Sequence, residues 1–262
     1  YREFSRVIAH QLGKHYSGMP GVMGFQIDNE LAQEGTGRCH CPVCAGKFRV
    51  WLRERHGDIG TLNQRWGTVF WGQEYQDFGQ IRLPATSIEP DTVSDMPAYF
   101  DNPSLRLEFE IFASGSLTEY QDIQTDALRQ TGATLVTTNA TGVATNSMDY
   151  YQSFRSQDRY GFDLYPSLRH GCIDPFAYAH ARSIKRQPFW VLEFTSGGGH
   201  RLRGSGRLQP FPGALRLAAM QAFFHGCELL AFFQFRSFLA GAEQLNYAIL
   251  DTDGVPRRRY RE

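Results

Sequence analysis

The sequence predicts an α/β fold in which parallel strands alternate with helices and close into a (β/α)8 barrel, the TIM barrel. Two observations carry this prediction. Short apolar segments rich in β-branched and aromatic residues alternate with segments of helical spacing, and polar residues collect where the apolar segments end. No glycine-rich turn follows the first apolar segment, which disfavours an open dinucleotide-binding sheet.

The strands are predicted from apolar segments that end abruptly at polar residues. They are residues 22–28, 133–139, 160–165, 189–194 and 229–235. Because a (β/α)8 barrel needs about three more strands, we expect those strands upstream of Tyr1, where the chain starts inside a helix without an initiator methionine. Residues 1–262 are therefore predicted to be the C-terminal part of one barrel domain whose N-terminal strands are missing from this chain.

The helices are predicted from spacing and capping residues. Segments 47–55 and 213–226 have helical spacing, and a long helix should begin with Asn102 as N-cap and Pro103 at its first position. Two long connections, 67–103 and 195–212, are predicted loops of the kind that are usually functional when they are ordered.

Apolar residues at helical spacing predict which helix faces are buried. In the first helix we expect one buried face formed by Phe4, Val7, Ile8, Gln11 and Leu12. In the later helices we expect core packing for Phe109, Phe112, Phe223 and Phe224.

Composition excludes several classes of partner. The 262 residues are 42% hydrophobic and carry 27 basic and 27 acidic side chains, so no charge excess favours nucleic acid or an anionic membrane. No run approaches the roughly 18 apolar residues of a membrane span. The five cysteines are an odd number, which argues against a disulfide framework and predicts a cytoplasmic protein.

Two glutamates close predicted strands. Glu30 follows the first strand directly after Asn29, and Glu193 ends the fourth. The carboxyl edge of parallel strands is where barrel enzymes build their sites, and glycosidic cleavage uses two facing carboxyl groups, about 5 to 5.5 Å apart in retaining enzymes. An ionised Glu193 nearby would help Glu30 to keep its proton. The alternative is that both are ordinary capping or loop carboxylates.

Three cysteines, Cys39, Cys41 and Cys44, lie within six positions. Their thiols suit a tetrahedral structural zinc that lacks one ligand, and the alternative is a set of reduced, metal-free thiols. A catalytic cofactor is not expected, since two carboxylates cleave a sugar bond without one. Cys172 and Cys227 are predicted to be buried small apolar residues.

Several further motifs occur in a fixed order. The first part of the chain contains FQIDNE at 25–30, CHCPVC at 39–44, FRVWLRER at 48–55, LNQRWG at 62–67 and FW at 70–71. The last part contains PGA at 212–214, HG at 225–226, FQFR at 233–236, GAEQ at 241–244, LD at 250–251 and DG at 253–254. Together these motifs resemble glycoside hydrolase family 42, the β-galactosidases, over nearly the whole chain.

The resemblance implies a retaining hydrolase that cleaves terminal β-D-galactosides by double displacement. If the five predicted strands are the fourth to the eighth of the barrel, the acid/base is Glu30 and the nucleophile is Glu193. The implied substrate is a β-galactoside or galacto-oligosaccharide. The family also implies a homo-oligomer, a trimer, and places a fourth cysteine upstream; His40 is a less favoured fourth ligand.

The resemblance also assigns substrate contacts. Asn29 would bind the sugar beside the cleaved bond, Trp71 and Phe233 would form walls for the galactose, Glu243 would bind its hydroxyls, and Tyr165 would steady the nucleophile. The chain departs from the family pattern at three places, one of which is a shorter connection between Tyr165 and Glu193. Asn246 stands where a histidine is common, still able to bind substrate by hydrogen bonds, and no tryptophan occurs in 194–208.

These departures leave two alternative functions open. One is a retaining glycosidase for another sugar, a β-glucoside, β-fucoside or α-L-arabinoside. The other is a carbohydrate-binding or zinc-stabilised barrel fragment without catalytic activity.

Overall fold

A computed structural model describes residues 1–33, 36–84, 101–142, 148–166, 175–197, 210–244, 246 and 248–262. The chain divides into two compact units. The strand unit comprises Tyr1–Leu31, Tyr120–Asn146 and Tyr150–Glu262, and the cysteine unit comprises Ala32–Glu119 and Ser147–Asp149. Among the described helices, none combines the length and apolar character needed to cross a membrane.

Parallel strands form the centre of the strand unit. They are β1 (Phe25–Gln26), β2 (Val136–Thr137), β3 (Asn139–Ala140), β4 (Gly161–Leu164), β5 (Phe189–Thr195) and β6 (Cys227–Phe233). β1 pairs with β2, and β3 to β6 pair in chain order. Only Thr138 separates β2 from β3, and its hydroxyl donates to the Ile27 carbonyl at 2.6 Å, so the pairing continues along the first two predicted strands.

The predicted alternation of strands and helices is confirmed. Each of the five predicted strands contains observed strand residues, although 133–139 is divided into β2 and β3 and the last strand starts earlier, at Cys227. The described helices are Arg2–Tyr16, Pro42–His56, Ile59–Trp66, Pro103–Arg129, Tyr150–Ser153, Pro175–Lys185, Ala214–Phe224 and Arg258–Arg261. The chain therefore has an α/β fold with parallel sheets.

Buried aromatic side chains fill the strand unit. The largest fully buried ones are Phe154, Tyr160, Phe162, Tyr178, Phe189 and Phe194. Helix Pro175–Lys185 packs on the sheet by its small residues Ala177 and Ala181 and by Tyr178, whose ring stacks on Phe189 at 6.0 Å. Cys227 is buried in β6, as predicted, while Cys172 lies outside the described residues.

The buried face predicted for the first helix is wrong. Its apolar residues Phe4, Val7, Ile8 and Leu12, together with Gln11, are exposed, and Phe4 is 73% exposed. The buried positions are instead Ala9 and Gly13. A Cβ on Gly13 would lie 2.1 Å from the Thr131 hydroxyl, so the helix approaches its neighbour closely through its small residues.

The core prediction for the phenylalanines is half right. Phe109 is buried and Phe112 is partly buried against the same cluster, but Phe223 and Phe224 are exposed. Helix Ala214–Phe224 again packs through small residues, because its buried positions are Ala214, Leu215, Ala218 and Ala222.

Helices enclose the core of the cysteine unit. This cluster comprises Phe48, Leu52, Leu62, Trp66, Phe78, Ile81, Leu105 and Phe109. The predicted N-cap is confirmed, since the Asn102 side chain accepts a hydrogen bond from the Ser104 amide at 2.9 Å and the helix begins at Pro103. Of the predicted loop 67–103, the described part contains two short 3-10 turns, Phe70–Gly72 and Phe78–Gln80. Of the predicted loop 195–212, residues 198–209 lie outside the described chain.

Candidate active site

Polar and acidic side chains collect at the carboxyl ends of neighbouring strands. Asn29 and Glu30 follow β1, Asn139 begins β3, Asp163 lies in β4 and Glu193 lies in β5. Asp163 and Glu193 are direct partners across the two strands. Because parallel strands bring their carboxyl ends to one edge, these side chains converge.

Three carboxyl groups meet at this edge. One side-chain oxygen each from Glu30, Asp163 and Glu193 lies within 4.8 Å of the other two. Asp163 is buried, and both glutamates are partly exposed. The predicted pair Glu30 and Glu193 is therefore brought together, with a third carboxyl group beside it. Three oxygens at this separation could also hold a divalent cation, but hydrolysis by two carboxylates requires no metal.

Asn139 connects the strand ends. Its amide nitrogen donates to Asn29 Oδ1 at 2.9 Å and to Asp163 Oδ2 at 2.6 Å, with a longer contact of 3.4 Å to Glu193 Oε1. Its amide oxygen accepts from the Glu30 backbone N–H at 3.1 Å and from the Gln26 side chain at 3.0 Å. Since Asn139 is 1% exposed, these bonds hold the edge without competition from water.

The backbone that carries Glu30 is strained. Asp28 and Glu30 have positive φ values of 50° and 43°, a region that costs about 1–2 kcal/mol for residues other than glycine. The Asp28 carboxylate accepts hydrogen bonds from the Tyr120 hydroxyl at 2.6 Å and from Gln124 Nε2 at 3.2 Å. These contacts from the long helix hold the turn in the conformation that presents Asn29 and Glu30.

Tyr165 contacts Glu193 directly. Its hydroxyl donates to Glu193 Oε2 at 2.5 Å. Burial raises the pKa of Glu193, the hydrogen bond from Tyr165 opposes this shift, and the charge of Glu30 adds to it. Burial, reinforced by the hydrogen bond to Glu193, also raises the pKa of Tyr165, so this hydroxyl stays a donor at neutral pH.

Asp163 is the most perturbed acid of the edge. Its pKa is raised to about 9, first by burial and then by the charge of Glu193 and the proximity of Glu30, while the hydrogen bond from Asn139 opposes the shift. Asp163 therefore carries its proton at neutral pH.

Other predicted site residues are placed less closely. The Phe233 ring lies 6.4 Å from the Tyr165 ring, edge to face, and the peptide bond after Phe233 is cis. Glu243 is exposed, and its charge raises the pKa of Glu193 slightly. The Asn246 backbone carbonyl accepts from the Ser237 hydroxyl at 3.1 Å. Trp71 belongs to the cysteine unit, where its side chain is 67% exposed.

The three predicted zinc ligands are close together in the cysteine unit. One sulfur atom each from Cys39, Cys41 and Cys44 lies within 4.8 Å of the other two. Cys41 caps the helix Pro42–His56 and accepts from the Cys44 amide at 3.5 Å. The His40 ring packs against the Phe109 ring, with 5.1 Å between the ring centroids.

Two residues of the edge, Asn139 and Asp163, were not predicted as site residues. Both occur inside predicted strands, Asn139 as the last residue of 133–139 and Asp163 within 160–165. The same rule that identified Glu30 and Glu193, a polar residue near the carboxyl end of an apolar strand, could have identified them.

Known proteins resemble the whole chain. Residues 1–262 match the model of glycoside hydrolase family 42, described as β-galactosidase. β-Galactosidase Bga of Halorubrum lacusprofundi is 34% identical over 99% of this chain and 38% of its own length, and the β-galactosidase of Thermus thermophilus is 32% identical over 100% and 42%.

Solved structures agree with this relationship. The β-galactosidase from Halorubrum lacusprofundi has a TM-score of 0.86 at 32% identity, covering 100% of this chain and 40% of that one. The enzyme from Bacillus circulans sp. alkalophilus also scores 0.86 at 29% identity, covering 100% and 38%. The chain thus spans about two fifths of the length of these relatives. It belongs to glycoside hydrolase family 42, the β-galactosidase family.

Proposed function

We propose that this protein hydrolyses terminal β-D-galactosides with retention of configuration, using Glu193 as nucleophile and Glu30 as acid and base. The observation that carries the proposal is the approach of the Glu30 and Glu193 oxygens within 4.8 Å at the strand ends of a family 42 chain. That separation supports a retaining enzyme, because inverting enzymes leave room for a water between carboxyl groups about 6.5–9.5 Å apart.

The reaction takes two displacements. In the first, a Glu193 oxygen bonds to the anomeric carbon, the bond to the leaving oxygen breaks, and Glu30 gives its proton to that oxygen. In the second, Glu30 takes a proton from water, the water oxygen bonds to the anomeric carbon, and Glu193 leaves as a carboxylate. The Tyr165 hydroxyl, 2.5 Å from Glu193 Oε2, favours the ionised form of the nucleophile.

The substrate contacts remain those expected from the family resemblance. Asn29, Phe233 and Glu243 lie in the same unit as the two glutamates, and the roles of Trp71 and Asn246 stay predictions. A panel of nitrophenyl β-galactoside, β-glucoside, β-fucoside and α-L-arabinoside tests the specificity. We expect the highest kcat/KM with the β-galactoside, and a higher value with another sugar would contradict the galactoside assignment.

Glu30→Ala tests the acid role. Without a proton donor, hydrolysis of an alkyl galactoside should fall by about 10²–10⁴-fold, whereas a dinitrophenyl galactoside, whose leaving group needs no proton, should be cleaved in the first step at close to the normal rate. Pre-steady-state release of dinitrophenol measures that step. Equal losses with both substrates would reject the acid role.

A matched variant tests whether loss of a carboxyl group away from the cluster has the same effect on activity. Glu228 lies in β6 and pairs with Arg159 at 2.7 Å, so it is engaged in an ion pair rather than at the carboxyl cluster. Glu228→Ala should keep activity with both substrates within about twofold.

We also propose that the described strands form part of a (β/α)8 barrel, in which the chain contributes the C-terminal part. The paired order of β1 to β6 and the TM-score of 0.86 to family 42 structures support this architecture. A structural zinc held by Cys39, Cys41 and Cys44 is a further proposal, supported by three thiols close enough to share one ion. The trimeric assembly and the cytoplasmic location stay predictions.

A further inference from the structure

Asp163 has an unusual environment for a buried acid. It is 4% exposed, and its Oδ2 accepts a hydrogen bond from Asn139 Nδ2 at 2.6 Å. Its Oδ1 is also buried, yet within the described parts of the chain no N–H or O–H donor reaches it. A buried carboxylate oxygen without a donor is energetically costly, so burial favours the protonated form of the Asp163 carboxyl group.

The groups that surround Asp163 are acids. Glu30 comes from the turn after β1 and Glu193 comes from β5, and one oxygen of each lies within 4.8 Å of an Asp163 oxygen. Both glutamates contribute to the raised pKa of Asp163. Tyr160 and Tyr165 lie on the same chain segment as Asp163, and both have raised pKa values, first of all because of burial. Two carboxyl oxygens can share a hydrogen bond only when one of them carries a proton.

Once Glu30 has given up its proton, burial favours Asp163 as the carboxyl group that is still protonated. Asp163 is more buried than either glutamate, and its pKa of about 9 results first from burial and then from the charge of Glu193. A proton on Oδ1 turns the unsatisfied oxygen into a donor, and Glu30 offers an acceptor near the Asp163 carboxyl group. The proton thus gives Oδ1 a hydrogen-bond partner and also reduces the electrostatic repulsion among the three carboxyl groups.

We propose that Asp163 is a positioning residue that remains a neutral carboxylic acid and donates its Oδ1 hydrogen to the Glu30 carboxylate. The inference rests on the proposed function and deepens it. Glu30 becomes negative when it has protonated the leaving oxygen, and at that moment the Asp163 O–H stabilises the new charge. When water attacks, Glu30 takes the water proton and becomes neutral again. Asp163 keeps its own proton throughout, so the proton count of the two displacements is unchanged.

Two substitutions separate this role from a packing role. Asp163→Asn cannot ionise, can accept from Asn139 through its amide oxygen and can donate to Glu30 through its amide nitrogen. Asp163→Leu has the same branching at Cγ, is larger and offers no hydrogen bond. In the full-length protein we expect Asp163→Asn to retain kcat within about tenfold, and Asp163→Leu to lose about 100-fold or more in kcat with little change in KM.

The leaving group provides a readout that a packing role would not move. Because Asp163 acts through the acidity of Glu30, the loss in Asp163→Leu should be at least about tenfold larger for methyl β-galactoside than for dinitrophenyl β-galactoside. The loss in Asp163→Asn should be small for both. Equal impairment of the two variants, or equal losses with both substrates, would overturn the proposal.

Infrared spectroscopy tests the protonation state without relying on hydrolysis or on the folding of Asp163→Leu. The difference spectrum between wild type and Asp163→Asn at pH 7 should contain the carbonyl band of a neutral carboxylic acid, and this band should disappear above about pH 9. A carboxylate band in its place would contradict the inference. A wild type that cleaves no galactoside but shows the neutral band would reject the proposed function and leave the state of Asp163 supported.

Discussion

Two buried aspartates, one in each unit, have opposite surroundings. In the cysteine unit, the Asp101 side chain is 2% exposed and faces cations, with Arg106 at 3.4 Å and Arg82 at 3.8 Å. In the strand unit, Asp163 is 4% exposed and faces Glu30 and Glu193. Two aspartates of similar burial therefore have neighbours of opposite charge type.

Other buried polar groups in the units of these two aspartates also differ. In the cysteine unit, buried His56 pairs with Glu108 at 2.8 Å, and the Asn63 side chain bonds the Thr68 hydroxyl and the Tyr75 backbone. In the strand unit, three carboxyl groups are crowded together beside the turn of Glu30. Compensated charges serve stability, whereas crowded ones with shifted pKa values are typical of chemistry.

Among the residues that support Glu30 and Glu193, replacing Asn139 by alanine should reduce activity most. It removes the hydrogen bonds that orient Asn29 and the Glu30 backbone, so we expect kcat/KM to fall by about 10²–10³-fold. Steady-state hydrolysis of nitrophenyl β-galactoside measures it. Gln157→Ala, which removes another buried amide of the strand unit that bonds Thr125 at 2.7 Å, should lower stability but leave activity within about twofold. Similar losses in both variants would show that the edge is only structural.

Tyr165→Phe should have a smaller effect, about 10–100-fold on kcat, because one hydrogen bond to a charged group is lost. Since that bond lowers the pKa of Glu193, removing it should raise this pKa further. The nucleophile must be ionised, so activity should be lost at a higher pH as the solution is acidified.

The pH dependence of kcat/KM measures this shift. The buried hydroxyl of Tyr160 has no hydrogen-bond partner among the described residues, so Tyr160→Phe should leave the acid limb in place. An acid limb that does not move in Tyr165→Phe would contradict the role of Tyr165.

Asp163→Asn should change stability with a characteristic pH dependence. The pKa of Asp163 is raised on folding, so its contribution to stability is fully present below the unfolded pKa of about 4 and is lost as pH rises toward 9. The variant should therefore gain stability relative to wild type with rising pH, by about 1 kcal/mol or more at pH 7. Urea unfolding at pH 5, 7 and 8.5 checks this, and a constant difference would contradict it.

Removing zinc should have the smallest effect on activity. If Cys39, Cys41 and Cys44 hold a structural ion, a chelator should lower the Tm of the protein by several degrees and leave kcat below the transition unchanged. The triple Cys→Ser variant should not respond to the chelator. Purified protein without bound zinc and without a Tm response would reject the metal site.

The sequence predicts some features because they are local. Strand composition, the Asn102 cap and polar residues at strand ends depend on neighbouring residues, so the α/β fold and the position of Glu30 and Glu193 could be read directly. Which apolar helix faces are buried could not be predicted from the sequence. In the first helix, periodicity identifies Phe4 and its neighbours as one face, but close approach at Gly13 decides which face is buried.

The neutral state of Asp163 also could not be predicted from the sequence. It depends on the pairing of β4 with β5, which places Asp163 opposite Glu193, and on the strained turn that brings Glu30 to the same point. These are contacts between residues 30, 163 and 193, far apart in the chain, so no local pattern contains them.

The most direct test of the account is the product formed by Glu193→Gly with azide and an activated β-galactoside in the full-length protein. If Glu193 is the nucleophile, the variant should lose hydrolysis by about 10⁴-fold or more, and azide should restore turnover by taking its place and yielding α-galactosyl azide. Hydrolysis at the wild-type rate, or a β-galactosyl azide product, would contradict the assignment of Glu193.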